Sequence, residues 1–186
     1  MKRLFDFTMS LILLLLLSLP MLIIALLVKA TSKGPVLYWS DRVGKENTIF
    51  KMPKFRTMKI DTPAVATHLL TDPSQYLTPI GGFLRKTSSD ELPQLFSILK
   101  GDIGFVGPRP ALFNQDDLIG LRTQKGIHKL VPGLTGWAQI NGRDDLPITV
   151  KVEFDEYYLS HRSFIFDIKI LTLTFFKVIC GEGVKH

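Results

Sequence analysis

The sequence contains little cysteine and histidine and lacks several familiar catalytic patterns. Its single cysteine, Cys180, excludes an internal disulfide and any cysteine-based zinc site. The four histidines are scattered along the chain, so histidine catalysis and a histidine metal cluster are poorly supported. Neither the G-x-x-x-x-G-K-[ST] phosphate loop nor the G-x-G-x-x-G dinucleotide pattern is present. H-E-x-x-H and G-x-S-x-G are also missing.

The charge is unbalanced toward cations, with 23 lysines and arginines against 17 acidic residues, a net charge of +6. A basic chain favours anionic partners: phospholipid head groups, nucleotides or nucleic acid. Residues 32–61 alone carry seven cations and three acids, interleaved with Trp39, Phe50 and Phe55. Such a stretch is typical of a single-stranded nucleic-acid binder, a surface on anionic lipid, or simply a solvated basic face.

A long apolar run occupies residues 4–28, about the length that crosses the hydrocarbon core of a bilayer. No small-residue cleavage site follows it, so a retained membrane segment is favoured over a signal peptide. Basic residues flank both ends, which favours placing both ends on the cytoplasmic side. Ser18-Leu19-Pro20 lies near the middle and predicts a kink. A re-entrant helix and a kinked spanning helix both remain open on these grounds.

The rest of the chain predicts short strands and several helices. Strands are expected at residues 36–39 and 45–58, the second interrupted at Pro53, and a loop at 61–79. Helices are expected at residues 80–86, 92–99, 112–130, 154–159 and 164–179. The last of these is apolar over a wide arc, which is typical either of a core helix or of one lying in a membrane interface.

The adjacent carboxylates Asp90 and Glu91 are candidates for chemistry, just before a predicted helix. A carboxylate can attack a phosphoryl or glycosyl centre, bind magnesium or act as a base. The competing interpretation is local: Ser88 and Glu91 have the spacing of a helix capping box, and acids in a first turn compensate the helix dipole. Local evidence alone favours the capping interpretation.

Two further segments combine rigidity with polar groups. In Gly107-Pro-Arg-Pro110 the prolines restrict the backbone, which suits either a fixed phosphate-binding Arg109 or a plain rigid turn. The segment from Gly133 to Arg143 places glycines among amide and guanidinium side chains. Such a loop is able to cradle a nucleotide or a sugar.

Taken in order, these motifs resemble the small monotopic phosphoglycosyl transferases, or bacterial sugar transferases. The resemblance covers essentially the whole chain. It is carried by Lys2-Arg-Leu-Phe-Asp6, Gly34-Pro35, Arg42-Val-Gly44, Lys54-Phe-Arg-Thr-Met58, Arg85-Lys-Thr-Ser-Ser-Asp-Glu-Leu-Pro-Gln-Leu95, Lys100-Gly-Asp-Ile-Gly-Phe-Val-Gly-Pro-Arg-Pro110, Pro132-Gly-Leu-Thr-Gly-Trp-Ala-Gln-Ile-Asn-Gly-Arg143 and Asp155-Glu-Tyr-Tyr158. Each motif is weak alone, and together in this order they are specific.

The resemblance implies transfer of a sugar-1-phosphate from a UDP-sugar, of N-acetylated hexosamine type, to polyprenyl (undecaprenyl) phosphate, with release of UMP. It implies that Asp90 attacks the sugar-linked phosphorus to give a phosphosugar-aspartate intermediate, with Glu91 as its partner and Mg²⁺ bound by both. The resemblance also implies substrate contacts. Arg109, with Pro108, is the best supported as a phosphate contact, and Gln139, Asn141 and Arg143 come next. Arg85, Arg56, Asp155 and Tyr158 have the least support.

The implied architecture is an α/β fold, mainly helical with short strands. Residues 1–33 would form a re-entrant membrane helix broken at Ser18 and Pro20, and residues 34–186 a cytosolic catalytic domain with interface-lying helices. The expected location is the cytoplasmic face of the bacterial inner membrane, with phospholipid as a partner, no nucleic acid, and a homodimer left open. The sequence departs from the family pattern at the spacing of Ser18 and Pro20, at Ser89, where an apolar residue is usual, and at Gly104, where serine is usual.

Two other functions remain as alternatives. A non-catalytic protein of the same fold would use the basic region to bind lipid or a partner, but it has no need for Asp90, Glu91 and Arg109 together. A nucleic-acid binder is suggested only by charge and interleaved aromatic residues, and it would bind DNA or RNA with strong salt dependence and without detergent.

Overall fold

A computed structural model describes residues 1–62, 72–142 and 146–179. Helices α1 (Lys2–Leu16) and α2 (Ser18–Thr31) come first, followed by strands β1 (Leu37–Val43) and β2 (Ile49–Phe55). Helices α3 (Gly81–Lys86) and α4 (Gln94–Lys100), strand β3 (Gly104–Val106), helix α5 (Asp116–Gln124) and strand β4 (Gly133–Thr135) form the middle. Helices α6 (Trp137–Ile140), α7 (Ile148–His161) and α8 (Phe164–Ile179) complete the described chain. The predicted mainly helical α/β class with short strands is confirmed.

The apolar N-terminal segment is a bent pair of helices. Within the described residues no single helix is long and apolar enough to cross a bilayer, but α1 and α2 together reach that length, with a bend of 62°. The bend falls at Leu17, and the Ser18 hydroxyl donates to the Leu15 carbonyl at 2.8 Å. Pro20 is the third residue of α2, where a missing N–H costs little because the first turn has no internal partner.

Helix α1 packs on the body of the protein. Phe5, Met9 and Leu13 of α1 contact the main core, which includes buried Ile98, Phe105 and Ile170 among its members. The opposite faces of α1 and α2 are apolar and exposed, with Leu11, Leu15, Leu19, Leu22 and Leu26 all more than 40% accessible. A second small core joins α2 to the first hairpin and to α3 through Val28, Phe55 and Leu84.

The strands form two separate pairs. Strands β1 and β2 are antiparallel, and their register places Tyr38 opposite Lys54 and Trp39 opposite Pro53. Pro53 lies within β2, so the interruption predicted from the sequence is not observed. Strands β3 and β4 are parallel, with Gly104 opposite Gly133.

Several helix boundaries differ from the predictions. The helix predicted over 112–130 is shorter, because α5 begins at Asp116 and Gly126 adopts a left-handed φ of 72° before a 3₁₀ turn at Ile127–Lys129. Helix α7 is longer than its predicted core of 154–159. The prediction of a helix over 164–179 is confirmed as α8. One side of α8 is buried at Ile170, while Ile165, Phe175 and Phe176 are exposed.

Candidate active site

The Asp90–Glu91 pair lies in a 3₁₀ turn, Ser89–Glu91, immediately before α4. Asp90 is buried, with 8% of its surface exposed. The capping-box interpretation is wrong, because Ser88 has a left-handed φ of 53° and its side chain makes no capping hydrogen bond. Ser89, one of the departures from the family pattern, shares a hydrogen bond with the Thr87 hydroxyl at 2.8 Å. The turn therefore presents the two carboxylates without using them to cap a helix.

Two cations from distant parts of the chain approach Glu91. The Lys54 ammonium of β2 donates to Glu91 Oε1 at 2.7 Å, and both side chains are less than 20% exposed. Arg109 Nη2 lies 3.8 Å from the same oxygen. Lys54 was not among the residues predicted for the site. Its place in the Lys54-Phe-Arg-Thr-Met58 motif was the one sequence signal that could have indicated a role in the site. No local pattern links Lys54 to a carboxylate 37 positions away.

Burial and the neighbouring cations shift the pKa of Asp90 in opposite directions, and the effect of burial is the largest. Burial raises the pKa of the Asp90 carboxyl, and the neighbouring charge of Glu91 raises it further. The charges of Lys54 and Arg85 lower the same pKa and favour the ionised form. A partly desolvated carboxylate with nearby cations that favour its ionised form is suited to nucleophilic attack on a phosphorus centre.

Arg85 completes the cationic surroundings. It belongs to α3, its Nε donates to the Thr57 hydroxyl at 3.0 Å, and it interacts electrostatically with Asp90. Burial is the main cause that lowers the pKa of the Arg85 guanidinium. The structure thus brings Arg85 and Arg109, both predicted from the motifs, to the carboxylate pair.

The Gly107-Pro-Arg-Pro110 turn lies against the glycine-rich segment. A Cβ on Gly133 would stand 2.0 Å from the Gly107 nitrogen, and one on Gly136 would stand 2.1 Å from the Gly107 carbonyl oxygen. The Pro108 carbonyl accepts a hydrogen bond from the Gly133 N–H at 2.9 Å. These glycines therefore serve close packing of backbone on backbone and do not form an open cradle.

Three of the predicted substrate contacts, Gln139, Asn141 and Arg143, follow Gly136 in the glycine-rich segment. Among the described residues, no hydrogen-bond partner faces the buried Gln139 amide atoms, and Gln139 Oε1 is 2.6 Å from the position of a Cβ on Gly136. Asn141 donates to the Trp137 carbonyl at 2.8 Å and is exposed. Arg143 lies outside the described residues. Their predicted substrate contacts stay predictions.

Arg56 is engaged at the junction between the N-terminal helices and the body. Its guanidinium donates to the Pro35 carbonyl at 2.7 Å and to the Ser32 hydroxyl at 2.8 Å, and the residue is buried. Both acceptors lie between α2 and β1. This geometry favours a structural role over the predicted substrate contact.

Asp155 and Tyr158 of α7 are buried and each has a defined partner. Asp155 accepts from Arg122 Nη2 at 2.6 Å. The Tyr158 hydroxyl donates to Asp167 Oδ1 at 2.7 Å, and Lys2 donates to the other oxygen of Asp167 at 2.6 Å. Tyr158 and Asp167 therefore join α7 and α8 to the start of α1.

Gly104, the second departure from the family pattern, lies beside Asp6 of α1. A Cβ at this position would be 2.8 Å from Asp6 Oδ2. Asp6 is buried, and its Oδ1 accepts from the Phe105 N–H at 3.3 Å. The glycine leaves room for this carboxylate and touches neither Asp90 nor Glu91.

The resemblance implies a magnesium ion held by the carboxylates of Asp90 and Glu91. Within the described residues no group of three or more histidine, cysteine or acidic side chains lies together. Magnesium needs fewer protein ligands than that, because it commonly uses one or two carboxylates and completes its shell with water and substrate phosphates. Asp90 and Glu91 fit this requirement.

A buried Asp90 carboxylate beside Glu91, with cations facing the pair, is typical of an enzyme that transfers an anionic group. The comparison with protein families agrees with this class. The model described as "Bacterial sugar transferase" matches residues 1–181. The chain belongs to the bacterial sugar transferase family, and the predicted membership is confirmed.

The chain is also similar to individual curated sugar transferases. The chain is 42% identical over 188 residues to "Uncharacterized sugar transferase EpsL" of Bacillus subtilis, covering 100% of this chain and 91% of the relative. It is 40% identical to the Escherichia coli "UDP-glucose:undecaprenyl-phosphate glucose-1-phosphate transferase", covering 95% of this chain and 40% of that protein. An Aeromonas hydrophila "UDP-N-acetylgalactosamine-undecaprenyl-phosphate N-acetylgalactosaminephosphotransferase" is 33% identical over 99% of this chain and 45% of its own length. The chain thus spans less than half of these two larger relatives.

Proposed function

We propose that the protein transfers a sugar-1-phosphate from a UDP-sugar to polyprenyl phosphate, as the first membrane step of bacterial glycoconjugate assembly. The observation that carries the proposal is the buried Asp90 beside Glu91, faced by cations from three separate elements. Relatives that cover nearly all of this chain are named for this type of transfer to undecaprenyl phosphate, which supports the same reaction here.

In the first step an Asp90 carboxylate oxygen attacks the sugar-linked phosphorus of the UDP-sugar. A new bond forms between this oxygen and phosphorus, and the bond from phosphorus to the bridging oxygen breaks. UMP leaves with the electron pair. Lys54, Arg85 and Arg109 are positioned to offset the negative charge that meets at this point.

In the second step a phosphate oxygen of the polyprenyl phosphate attacks the same phosphorus. The phosphorus–Asp90 bond breaks, which restores the carboxylate and yields a polyprenyl diphosphate sugar. The covalent intermediate divides one transfer between two bulky substrates into two simpler displacements at the same atom. Glu91 stays paired with Lys54 through both steps.

Asp90 and Glu91 would also hold Mg²⁺, whose chemistry when bound is to neutralise charge on the substrate phosphates. The donor sugar is proposed to be an N-acetylated hexosamine. The relatives are named for glucose, galactose and N-acetylgalactosamine, so all three donors belong in any test.

We further propose that the bent helix pair is re-entrant, with both ends on the cytoplasmic face. Both ends are attached to the same body. Arg3 at the start of α1 donates to the Ile98 and Leu99 carbonyls at 2.6 and 2.7 Å. Ser32, just after α2, is held by Arg56. A helix that spanned the membrane would separate these two ends by the thickness of the hydrocarbon core.

Helix α8 is proposed to lie in the membrane interface beside this pair. Its exposed face carries Ile165, Phe175 and Phe176, while Ile170 on the other face is buried in the core. A helix with one face packed and the other apolar and exposed is suited to contact with lipid.

The decisive test of the reaction is UMP release by the protein in nanodiscs, with Mg²⁺, undecaprenyl phosphate and a panel of UDP-sugars. We expect release with one donor, complete loss in Asp90→Asn, and retained activity in Asp41→Asn, an exposed control that makes the same chemical change. Without acceptor, the wild type should retain a phosphosugar on Asp90, detectable by mass spectrometry. No release with any donor from a folded, lipid-bound protein would favour the non-catalytic alternative.

Topology is tested separately with a membrane-impermeant maleimide on inverted vesicles. The two reporters are a cysteine in a tag placed before Met1 and Lys33→Cys, each in a Cys180→Ser background. Labelling of both from the cytoplasmic side is expected. Labelling from opposite sides would show a spanning helix.

A further inference from the structure

The backbone of residues 107–111, named here the arginine turn, is held at four consecutive carbonyl oxygens. The carbonyls of Pro108 and Ala111 accept from backbone N–H groups of Gly133 and Val43, each at 2.9 Å. The two carbonyls between them accept from side chains: Arg122 Nη1 reaches the Arg109 carbonyl at 2.8 Å, and Arg42 Nη1 reaches that of Pro110 at 3.1 Å. The turn is therefore fixed from β4, α5 and β1 together.

Arg122 is itself held by a buried carboxylate, that of Asp155. Its Nε and Nη2 both donate to Asp155 Oδ2, at 2.9 and 2.6 Å. Asp155 is 1% exposed, and the Arg122 side chain is 11% exposed. The planar guanidinium fork thus uses one edge for Asp155 and its remaining nitrogen for the Arg109 carbonyl. Asp155 sets the direction in which that nitrogen points.

The carbonyl that Arg122 holds belongs to the residue whose side chain faces the carboxylate pair. The Arg109 side chain is 34% exposed and approaches Glu91 to 3.8 Å. Packing alone constrains a side chain of this exposure weakly, so the backbone from which it extends helps to set its direction. Fixed cations stabilise transferred phosphate more effectively than mobile ones, because no reorganisation is needed during the reaction.

We propose that Arg122 and Asp155 are positioning residues that fix Arg109 for phosphate contact. Asp155 opens the Asp155-Glu-Tyr-Tyr158 motif, which the catalytic steps leave unexplained. The inference rests on the proposed function for its kinetic consequence. Its structural part, a turn held in place by Arg122, stands independently of the reaction.

A competing explanation is that the ion pair only ties α5 to α7. Arg122→Lys separates the two roles, because a lysine keeps a positive charge beside Asp155 but lacks the planar fork needed to hold Asp155 and the carbonyl together. A matched control is available in Lys125→Met. Lys125 pairs with Glu156 of α7 at the end of the same helix, is more exposed, and has no contact with the arginine turn in the described structure.

The kinetic test compares the wild type, Arg122→Lys, Arg109→Ala, the double variant and Lys125→Met in nanodiscs, by UMP release. Arg122→Lys should lower kcat/KM about 10- to 100-fold, the size expected from a small misplacement of a contact group. In the Arg109→Ala background the same change should cost less than about twofold, since the group it positions is already gone. Lys125→Met should match the wild type. Independent, multiplying effects of Arg122→Lys and Arg109→Ala would overturn the proposal.

Hydrogen–deuterium exchange of the full-length protein gives a readout that does not depend on turnover. Arg122→Lys should speed exchange at the amides of Gly107 and Gly133, whose hydrogen bonds join the turn to β4, while leaving the amides of β2 unchanged. Asp155→Asn, which keeps an acceptor oxygen but loses the charge, should have a smaller effect of the same kind. Unchanged exchange in the turn for both variants would refute the inference, whereas absent UMP release by the wild type would count against the proposed function alone.

Discussion

Replacing Lys54 with methionine removes the cation nearest the carboxylate pair while keeping a side chain of similar length. Lys54 donates to Glu91 Oε1 at 2.7 Å, with both side chains less than 20% exposed. It also lowers the pKa of Asp90 through its charge. The substitution should therefore reduce stability and, separately, alter the pH dependence of activity.

The stability loss follows from the contact that disappears. A hydrogen bond between charged groups contributes about 1.5–3 kcal/mol. The larger penalty of about 3–5 kcal/mol for stranding a buried charge does not apply, because Arg109 remains 3.8 Å from Glu91. At about 2–4 °C per kcal/mol for a chain of this size, Tm should fall by about 3–12 °C.

The pH effect has a definite sign. The proposed attack requires the ionised Asp90, so activity should be lost as the pH falls through the pKa of this group. Burial already raises that pKa, and Lys54 opposes the rise. Without Lys54 the pKa rises further, and the acid limb of the kcat/KM profile moves to higher pH.

The assay is UMP release between pH 4.5 and 8, with thermal unfolding measured on the same samples. Lys51→Met is the matched control, because Lys51 lies on the same strand and its pair with Asp41, at 3.3 Å, is exposed. An acid limb that stays in place, or moves to lower pH, would refute the electrostatic role of Lys54. An equal effect of Lys51→Met would show that only general surface charge matters.

Three further outcomes follow from the same structure. Glu91→Gln removes a charge that raises the pKa of the nucleophile, so the acid limb of its residual activity should move to lower pH, opposite to Lys54→Met. Gly133→Ala places a methyl 2.0 Å from a backbone nitrogen, so the free energy of unfolding measured in urea should fall by more than about 3 kcal/mol. Gly120→Ala adds a methyl in open space on a helix and should raise the same free energy by about 0.5–1 kcal/mol. Equal effects of the two substitutions would contradict the packing argument. Tyr158→Phe removes a buried hydrogen bond to Asp167 and should cost about 1.5–3 kcal/mol, while a loss under about 0.5 kcal/mol would show that the contact is not formed.

Local sequence patterns correctly predicted helices and helix ends that depend on neighbouring residues. The apolar arc over residues 164–179 identified α8, and Lys100-Gly101 identified the end of α4, where Gly101 adopts a left-handed φ of 102°. The same reasoning failed at Ser88, because its spacing to Glu91 fits a capping box but its backbone is left-handed. A capping pattern fixes the spacing of side chains and does not fix the backbone conformation of the first residue.

The part of the site that the sequence did not predict depends on contacts between residues far apart in the chain. Lys54 reaches Glu91 only because the β1–β2 hairpin folds against the turn before α4, a contact between residues 37 positions apart. Gln139 illustrates the opposite error, since a polar side chain in a glycine-rich loop suggests a ligand contact, yet its amide is buried against Gly136. Neither burial nor pairing of this kind is encoded in the spacing of neighbouring residues.

One short helix, α4, lies between the proposed nucleophile Asp90 and the contact with the N-terminal helices. Helix α4 has Asp90 and Glu91 just before its first residue, and Arg3 of α1 holds carbonyls of its last turn. Seven residues at about 1.5 Å each make this helix roughly 10 Å long. If α1 enters the lipid as proposed, α4 acts as a spacer that sets the height of the carboxylates above it. A change in the length of α4 would then change the distance between the carboxylates and the carbonyls that Arg3 holds.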